Sequence, residues 1–244
     1  MKIIISIVLL PLVFINFNTS LAQSDISAIL ADSSRPTADR ERDASRKPDQ
    51  ILAFFEIGPG DKVADLLCGG GYYTRILAPL VGVGGEVYAG NNPFFQPFGG
   101  EALTALLAEP GYERVHRIDG PVDELALPTD ASMDAVIIAL AYHDLWLTDE
   151  DRDELNRRVF ASLKSGGVYG IIDHNAAPGS GTDVIDSLHR IEENVIIDEI
   201  SSAGFSLAAR GDFLRNPEDD HSLRVFDPSV RGNTDRFVLR FEKP

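Results

Sequence analysis

Apolar positions along the chain fall into short blocks set apart by glycine-rich turns, and the blocks alternate between strand and helix periods. Val63–Leu67, apolar except for Asp65, reads as a buried strand. Tyr72–Leu80 follows as a helix, stopped by Gly82, Gly84 and Gly85, and Glu86–Ala89 as a second strand. A helix over Glu101–Ala108, a strand over Val115–Ile118 and a fourth strand over Met133–Leu140 continue the alternation. Thr148, with Asp151 three residues on, has the pattern of a helix start. That helix should end near Lys164, before Ser165-Gly166-Gly167, with a fifth strand over Val168–Asp173. Val184, Leu188, Ile191 and Val195 recur at helical spacing. Phe205–Arg210 and Arg236–Phe241 read as two last strands on either side of a long polar segment, Asn216–Thr234. A connection of that length serves either as a substrate lid or as a loop tied down by salt bridges.

Repeated strand–helix units imply a mostly parallel sheet covered by helices on both faces. The expected fold is a single doubly wound, Rossmann-like α/β domain with seven strands and an antiparallel C-terminal edge. Upstream, Pro48 opens a helix with Ile51, Leu52, Phe54 and Phe55 on its apolar face, and Gly58-Pro59-Gly60 stops it. The domain should therefore span residues 48–244, preceded by a densely charged arm over 23–47.

The first residues change the picture of where the chain works. Lys2 and the apolar run Ile3–Ile15, followed by Ser20-Leu21-Ala22, have the layout of a cleavable signal peptide over residues 1–22. The apolar run is shorter than a membrane-spanning helix requires, so export to the periplasm or beyond without stable membrane insertion is the expectation, with an uncleaved anchor as the alternative. The formal charge of −16 disfavours nucleic acid and anionic membranes as partners. Cys68 is the only cysteine, which excludes an intramolecular disulfide.

The stretch "VADLLCGGGYYTRIL" joins the first strand to its helix through glycines, whose backbone N–H groups can approach a ligand beside a helix N-terminus. A dinucleotide fingerprint begun on Gly69 and Gly71 would need a glycine at position 74, where Thr74 stands, and no Gly-Lys-Ser/Thr phosphate loop is present. The stretch resembles instead the first motif of class I S-adenosylmethionine (SAM)-dependent methyltransferases, matching at Asp65, Gly69 and Gly71, with Cys68 a frequent companion and Leu67 in place of the first glycine. "GEVYAGN", "RIDGPVDELALPTDASMDAVIIALAYHDL" and "LKSGGVYGIIDH" resemble that family's later segments in order. "DHNAAPGSG", "LHRIEE" and "TDRFVLRFEKP" are similar to exported bacterial predicted methyltransferases.

The resemblance implies SAM as cofactor and a small molecule as methyl acceptor. It assigns cofactor contacts to Asp65, Cys68, Gly69, Gly71, Asn91, Asn92 and Asp119, with Asn91 standing where the family carries a ribose-binding carboxylate. Methyl transfer needs positioning and, for a protonated acceptor, a base at the carboxyl ends of strands four and five. Tyr142, His143, Asp173 and His174 are the catalytic candidates, set against packing roles for the same side chains. Asp144, Asp173 and Asn175 loosely resemble the oxygen ligands of metal-dependent relatives, but solvated loop acids explain them as well, and no metal is assigned. The alternative to an enzyme is an exported binding protein that keeps the fold without turnover.

Overall fold

The computed structural model describes residues 26–244; the expected signal segment and its cleavage point before Gln23 lie outside the described residues. After a helical stretch over residues 26–31 come α1 (Thr37–Arg46) and α2 (Pro48–Phe54), separated by Lys47 in a left-handed conformation. Then follow β1 (Lys62–Leu66), α3 (Thr74–Val81), β2 (Glu86–Gly90), α4 (Gln96–Leu107), β3 (Val115–Arg117) and β4 (Met133–Ala139). A 3₁₀ turn, His143–Leu147, leads to α5 (Arg152–Ser162) and β5 (Leu163–His174). The chain closes with α6 (Ile185–Leu188), α7 (Glu193–Ser202), β6 (Ser206–Gly211) and β7 (Arg236–Glu242).

The seven strands form one sheet in the order β3-β2-β1-β4-β5-β7-β6. Strands β1 to β5 pair in parallel, and β7 inserts antiparallel between β5 and β6. This is the doubly wound sheet with an antiparallel edge that the alternating pattern predicts. Strand alternation divides the core in two: Ala64, Leu66, Val136 and Ile138 face one helix layer, and Val63, Ala135 and Ile137 the other. Strand order reverses at β1/β4, so the carboxyl ends of these two strands frame the crevice where such folds take ligands.

Three local expectations are corrected. Asp151, not Thr148, caps α5, accepting from the Glu154 N–H at 2.9 Å, while the Thr148 hydroxyl donates to the Leu145 carbonyl. Helix α5 stops at Ser162, and Ser165–Gly167 lie inside β5, where pairing with β4 shifts between Met133/Leu163 and Ala135/Val168. The helix expected across Val184–Val195 is broken at His189, which is left-handed at φ 54°. The break lets Ile191 bridge to Asn175, its N–H donating to the His174 carbonyl. Tertiary pairing overrides the helical period there.

Candidate functional site

Both strands at the reversal end in a strained leucine. Leu67 follows β1 at φ 55° and Leu140 follows β4 at φ 60°, conformations that cost an L-residue roughly 1–2 kcal/mol each. Together they border a cavity of about 370 Å³ with Cys68, Gly69, Gly70 and Phe95. Gly69, at φ 57°, has open space where a Cβ would project. Gly71 is needed for a different reason: besides its φ of 83°, a Cβ there would come within 2.6 Å of Leu106 in α4.

The polar residues around this loop satisfy one another. Asn91 pairs with the peptide of Gly69 in both directions: its Oδ1 accepts from the Gly69 N–H at 2.8 Å and its Nδ2 donates to the Gly69 carbonyl at 2.9 Å. Asn92 donates to Glu150 and accepts from the Phe95 N–H. Asp119 accepts from the Asn91 N–H and pairs with Arg117. Asp65 lies beneath the loop and accepts from the Thr74 hydroxyl at 2.7 Å; burial pushes its pKa up to about 6, with the Thr74 bond opposing. Burial likewise pushes the Cys68 thiol up, so this cysteine is not an activated nucleophile. Of the seven predicted cofactor residues, Cys68 and Gly69 line the cavity; Asp65, Gly71, Asn91, Asn92 and Asp119 hold its backbone from behind. Asp39 of α1 is the only carboxylate lining it among the described residues.

Helix α1 roofs the crevice rather than standing off as an arm. Asp43 takes a bidentate pair of bonds from Arg35, at 2.6 and 2.8 Å, and a third bond from the Tyr72 hydroxyl at 2.7 Å. Arg42 and Arg46 lie over the Tyr72 ring, 5.0 and 4.4 Å from its centroid. At the other end, Lys47 donates to the Phe213 carbonyl and Arg236 to the Ser45 carbonyl.

Beyond β4 and β5 the catalytic candidates separate. Tyr142 is fully buried under the sheet, donating to Glu199 at 3.0 Å and accepting from Asn156 at 2.8 Å. Asp173, also fully buried, accepts from the His143 N–H, the His143 ring Nδ1 and the His174 N–H. Burial opposes charge on His143, but Asp173 and Asp144 outweigh it and push its pKa up to about 10, so the ring is an imidazolium at neutral pH. Its Nε2 lies 3.2 Å from Asp144 Oδ1 without the alignment of a hydrogen bond. Asp144 in turn holds His189 Nδ1 at 2.9 Å, while Arg224 donates to His189 Nε2. His143, Asp144 and His189 can bring three ligand atoms within 4.8 Å of one another, the one such group among the described residues. As folded, both carboxylates are already engaged, Asp173 with the His143 ring and Asp144 with His189. Asn175 instead donates to Asp235.

His174 differs from these neighbours. Its Nδ1 meets the Thr234 hydroxyl at 2.7 Å, and it lines a second cavity of about 520 Å³. Burial, reinforced by the His143, Arg236, Arg190 and Arg46 charges, holds its pKa well below the usual histidine value, so the ring is neutral. In the tautomer that donates Nδ1–H to Thr234, Nε2 is the proton acceptor. The long segment 216–234 is tied down and still contributes wall. Fully buried Arg190 grips Asp219 with two bonds, at 2.8 and 3.1 Å, and also donates to the Leu223 and Asn175 carbonyls. Val225, Phe226 and Arg231 of this segment face the second cavity. The two cavities share Arg42, Arg46 and Leu140.

This architecture has close counterparts among solved structures. A SAM-dependent methyltransferase from Aquifex aeolicus superposes with a TM-score of 0.59 at 18% identity, covering 90% of this chain and 97% of that one. The fold is that of the class I methyltransferases. The geranyl diphosphate C-methyltransferase of Streptomyces coelicolor A3(2), in complex with Mg²⁺, geranyl diphosphate and S-adenosyl-L-homocysteine, matches at 0.57 and 16%, over 89% and 88% of the two chains. The [4+2]-cyclase SpnF matches at 0.60 and 17%, over 88% and 85%. No protein-family model and no curated protein matches the sequence. Since the same fold carries a cyclase, function has to be argued from the site.

Two features of the site escape a reading of the sequence. Arg46 sits in a charged stretch that looks solvated, and Arg190 in a helical pattern that gives no sign of a buried ion pair. Only long-range contact reveals either, although a charged residue in an apolar period, as in Leu188-His189-Arg190-Ile191, is the available signal.

Proposed function

We propose that the protein is a SAM-dependent methyltransferase acting on a small-molecule acceptor, exported to the cell envelope by the segment over residues 1–22. The observation that supports it is the meeting of two cavities across Arg42, Arg46 and Leu140: one bounded by the glycine loop, the other by a neutral histidine. A volume of about 370 Å³ lies within the range of small-ligand sites, and the open space over Gly69 with Phe95 alongside suits an adenosyl group. Asp39, the one carboxylate at this cavity among the described residues, is itself paired with Arg42 and Arg75. When bound, SAM supplies an activated methyl group on a sulfonium.

The chain's own residues then have separate tasks. The α1 roof, pinned by Asp43, excludes water and holds the acceptor beside the loop. His174 Nε2 takes the proton that a hydroxyl, amine or thiol acceptor gives up. Asp173 and the His143 imidazolium fix the end of β5 and so the placement of His174. The engagement of Asn91 with Gly69 favours a second reading, a protein that binds a nucleotide or small ligand without turnover.

Calorimetric titration of SAM and S-adenosylhomocysteine into the purified chain and its Gly69→Leu variant tests the nucleotide site. Leucine already occupies a left-handed position two residues earlier, so the variant should fold at a cost of roughly 1–2 kcal/mol while its side chain fills the cavity. Binding to the wild type and its loss in the variant is expected. A folded wild-type protein that binds neither ligand at millimolar concentration removes the reading. Transfer of labelled methyl to an acceptor separates the enzyme from the binding protein.

A further inference from the structure

The 520 Å³ cavity is basic in an acidic protein. Arg42, Arg46, Arg231 and Arg236 line it beside the neutral His174, and Glu41 is the only carboxylate among its walls in the described residues. The chain has 38 acidic and 22 basic residues, so an arginine without a carboxylate partner is the unexpected case. Arg42 has one, Asp39 at 2.5 Å. The other three do not. Arg236 is nearly buried and donates to the carbonyls of Thr234, Ser45 and Gly232, which leave its charge uncompensated. Arg46 is half-buried, stacks on Tyr72 and has no hydrogen bond or ion pair among the described residues. Arg231 stands exposed at the rim, equally free.

A guanidinium drawn partly out of water without a counter-ion is unfavourable, and burial indeed lowers the pKa of both Arg46 and Arg236. Stacking on Tyr72 accounts for the position of Arg46 but leaves its planar fork of donors unused. Such forks match carboxylate and phosphate oxygens, and their bonds to an anion are about twice as strong as neutral ones.

We propose that this cavity is an oxyanion site, and that the methyl acceptor is a small molecule carrying a carboxylate or phosphate group clasped by Arg46, Arg231 and Arg236. The assignment as an acceptor rests on the methyltransferase reading of the neighbouring loop; the oxyanion site itself does not. The anionic group anchors the molecule, and the three arginines select against neutral and cationic candidates.

The test titrates inorganic phosphate and, separately, malonate into the full chain at fixed ionic strength, with chloride as the control anion. It compares the wild type with Arg231→Ala and Arg46→Gln. Arg231 makes no contact that folding needs, so its variant answers even if Arg46→Gln disturbs α1. The expected result is binding of phosphate or malonate over chloride, at least tenfold weaker in Arg231→Ala, with the tighter of the two anions identifying the group. Equal affinity in wild type and Arg231→Ala, or no preference over chloride, overturns the proposal. S-adenosylhomocysteine is titrated in parallel: arginine-dependent anion binding without nucleotide binding keeps the oxyanion site and removes the methyltransferase reading.

Discussion

The two sides of the crevice treat their polar groups in opposite ways. Around the glycine loop Asn91, Asn92, Asp65 and Asp119 are bonded to backbone or to side chains of the protein itself. Across Leu140, Arg46, Arg231 and the Nε2 of His174 have no hydrogen-bond partner among the described residues. Spent groups shape a site; unspent ones recognise what enters it. A residue type at the expected position is therefore weaker grounds for a ligand contact than the absence of an internal partner for it.

The contrast can be broken first at its most saturated point. Asp173→Ala removes three hydrogen bonds from a fully buried carboxylate and leaves the His143 imidazolium without its main partner. A loss on the order of 3–5 kcal/mol in urea unfolding is expected, whereas a change below 1 kcal/mol would show that this cluster is not structural. Asn91→Asp restores the carboxylate usual in methyltransferases but sets an oxygen against the Gly69 carbonyl in place of a donor. Stability should fall by about 1–3 kcal/mol with no gain in SAM affinity. A variant that binds SAM more tightly would mean that Asn91 faces the ligand after all.

A pH series sharpens the same contrast. The folded pKa of His143, about 10, lies above the ordinary value of 6.5, so its stabilising contribution is complete below about pH 6.5 and is lost as pH rises toward 10. The difference in melting temperature between wild type and His143→Gln should be largest below pH 6.5 and shrink above it; a constant difference would put a neutral ring at that position. Arg231→Ala should give the smallest change of all in stability, within about 0.5 kcal/mol, while weakening anion binding.

The sheet was legible because its signals are local. Apolar blocks of five to seven residues such as Val63–Leu67 and Met133–Ala139, ended by glycine or by a turn, define strands whatever surrounds them. Boundaries failed where distant partners decide them. Helix α6 ends because Ile191 bridges to Asn175, and Lys47 turns left-handed between two helices that pack on separate neighbours. The catalytic candidates were placed at the correct strand ends, yet Tyr142 points under the sheet and His174 toward a cavity, a distinction set by pleat and neighbours rather than by residue type. The basic lining was least legible, because Arg46 and Arg236 are nearly two hundred residues apart.

The most direct measurement is a crystal structure of the protein with S-adenosylhomocysteine and phosphate. The account predicts nucleotide density between Leu67–Gly70 and Phe95 with Asn91 still paired to the Gly69 peptide, and phosphate density on Arg46, Arg231 and Arg236. Asn91 swung out onto the ribose hydroxyls, or density for either ligand elsewhere, would contradict it.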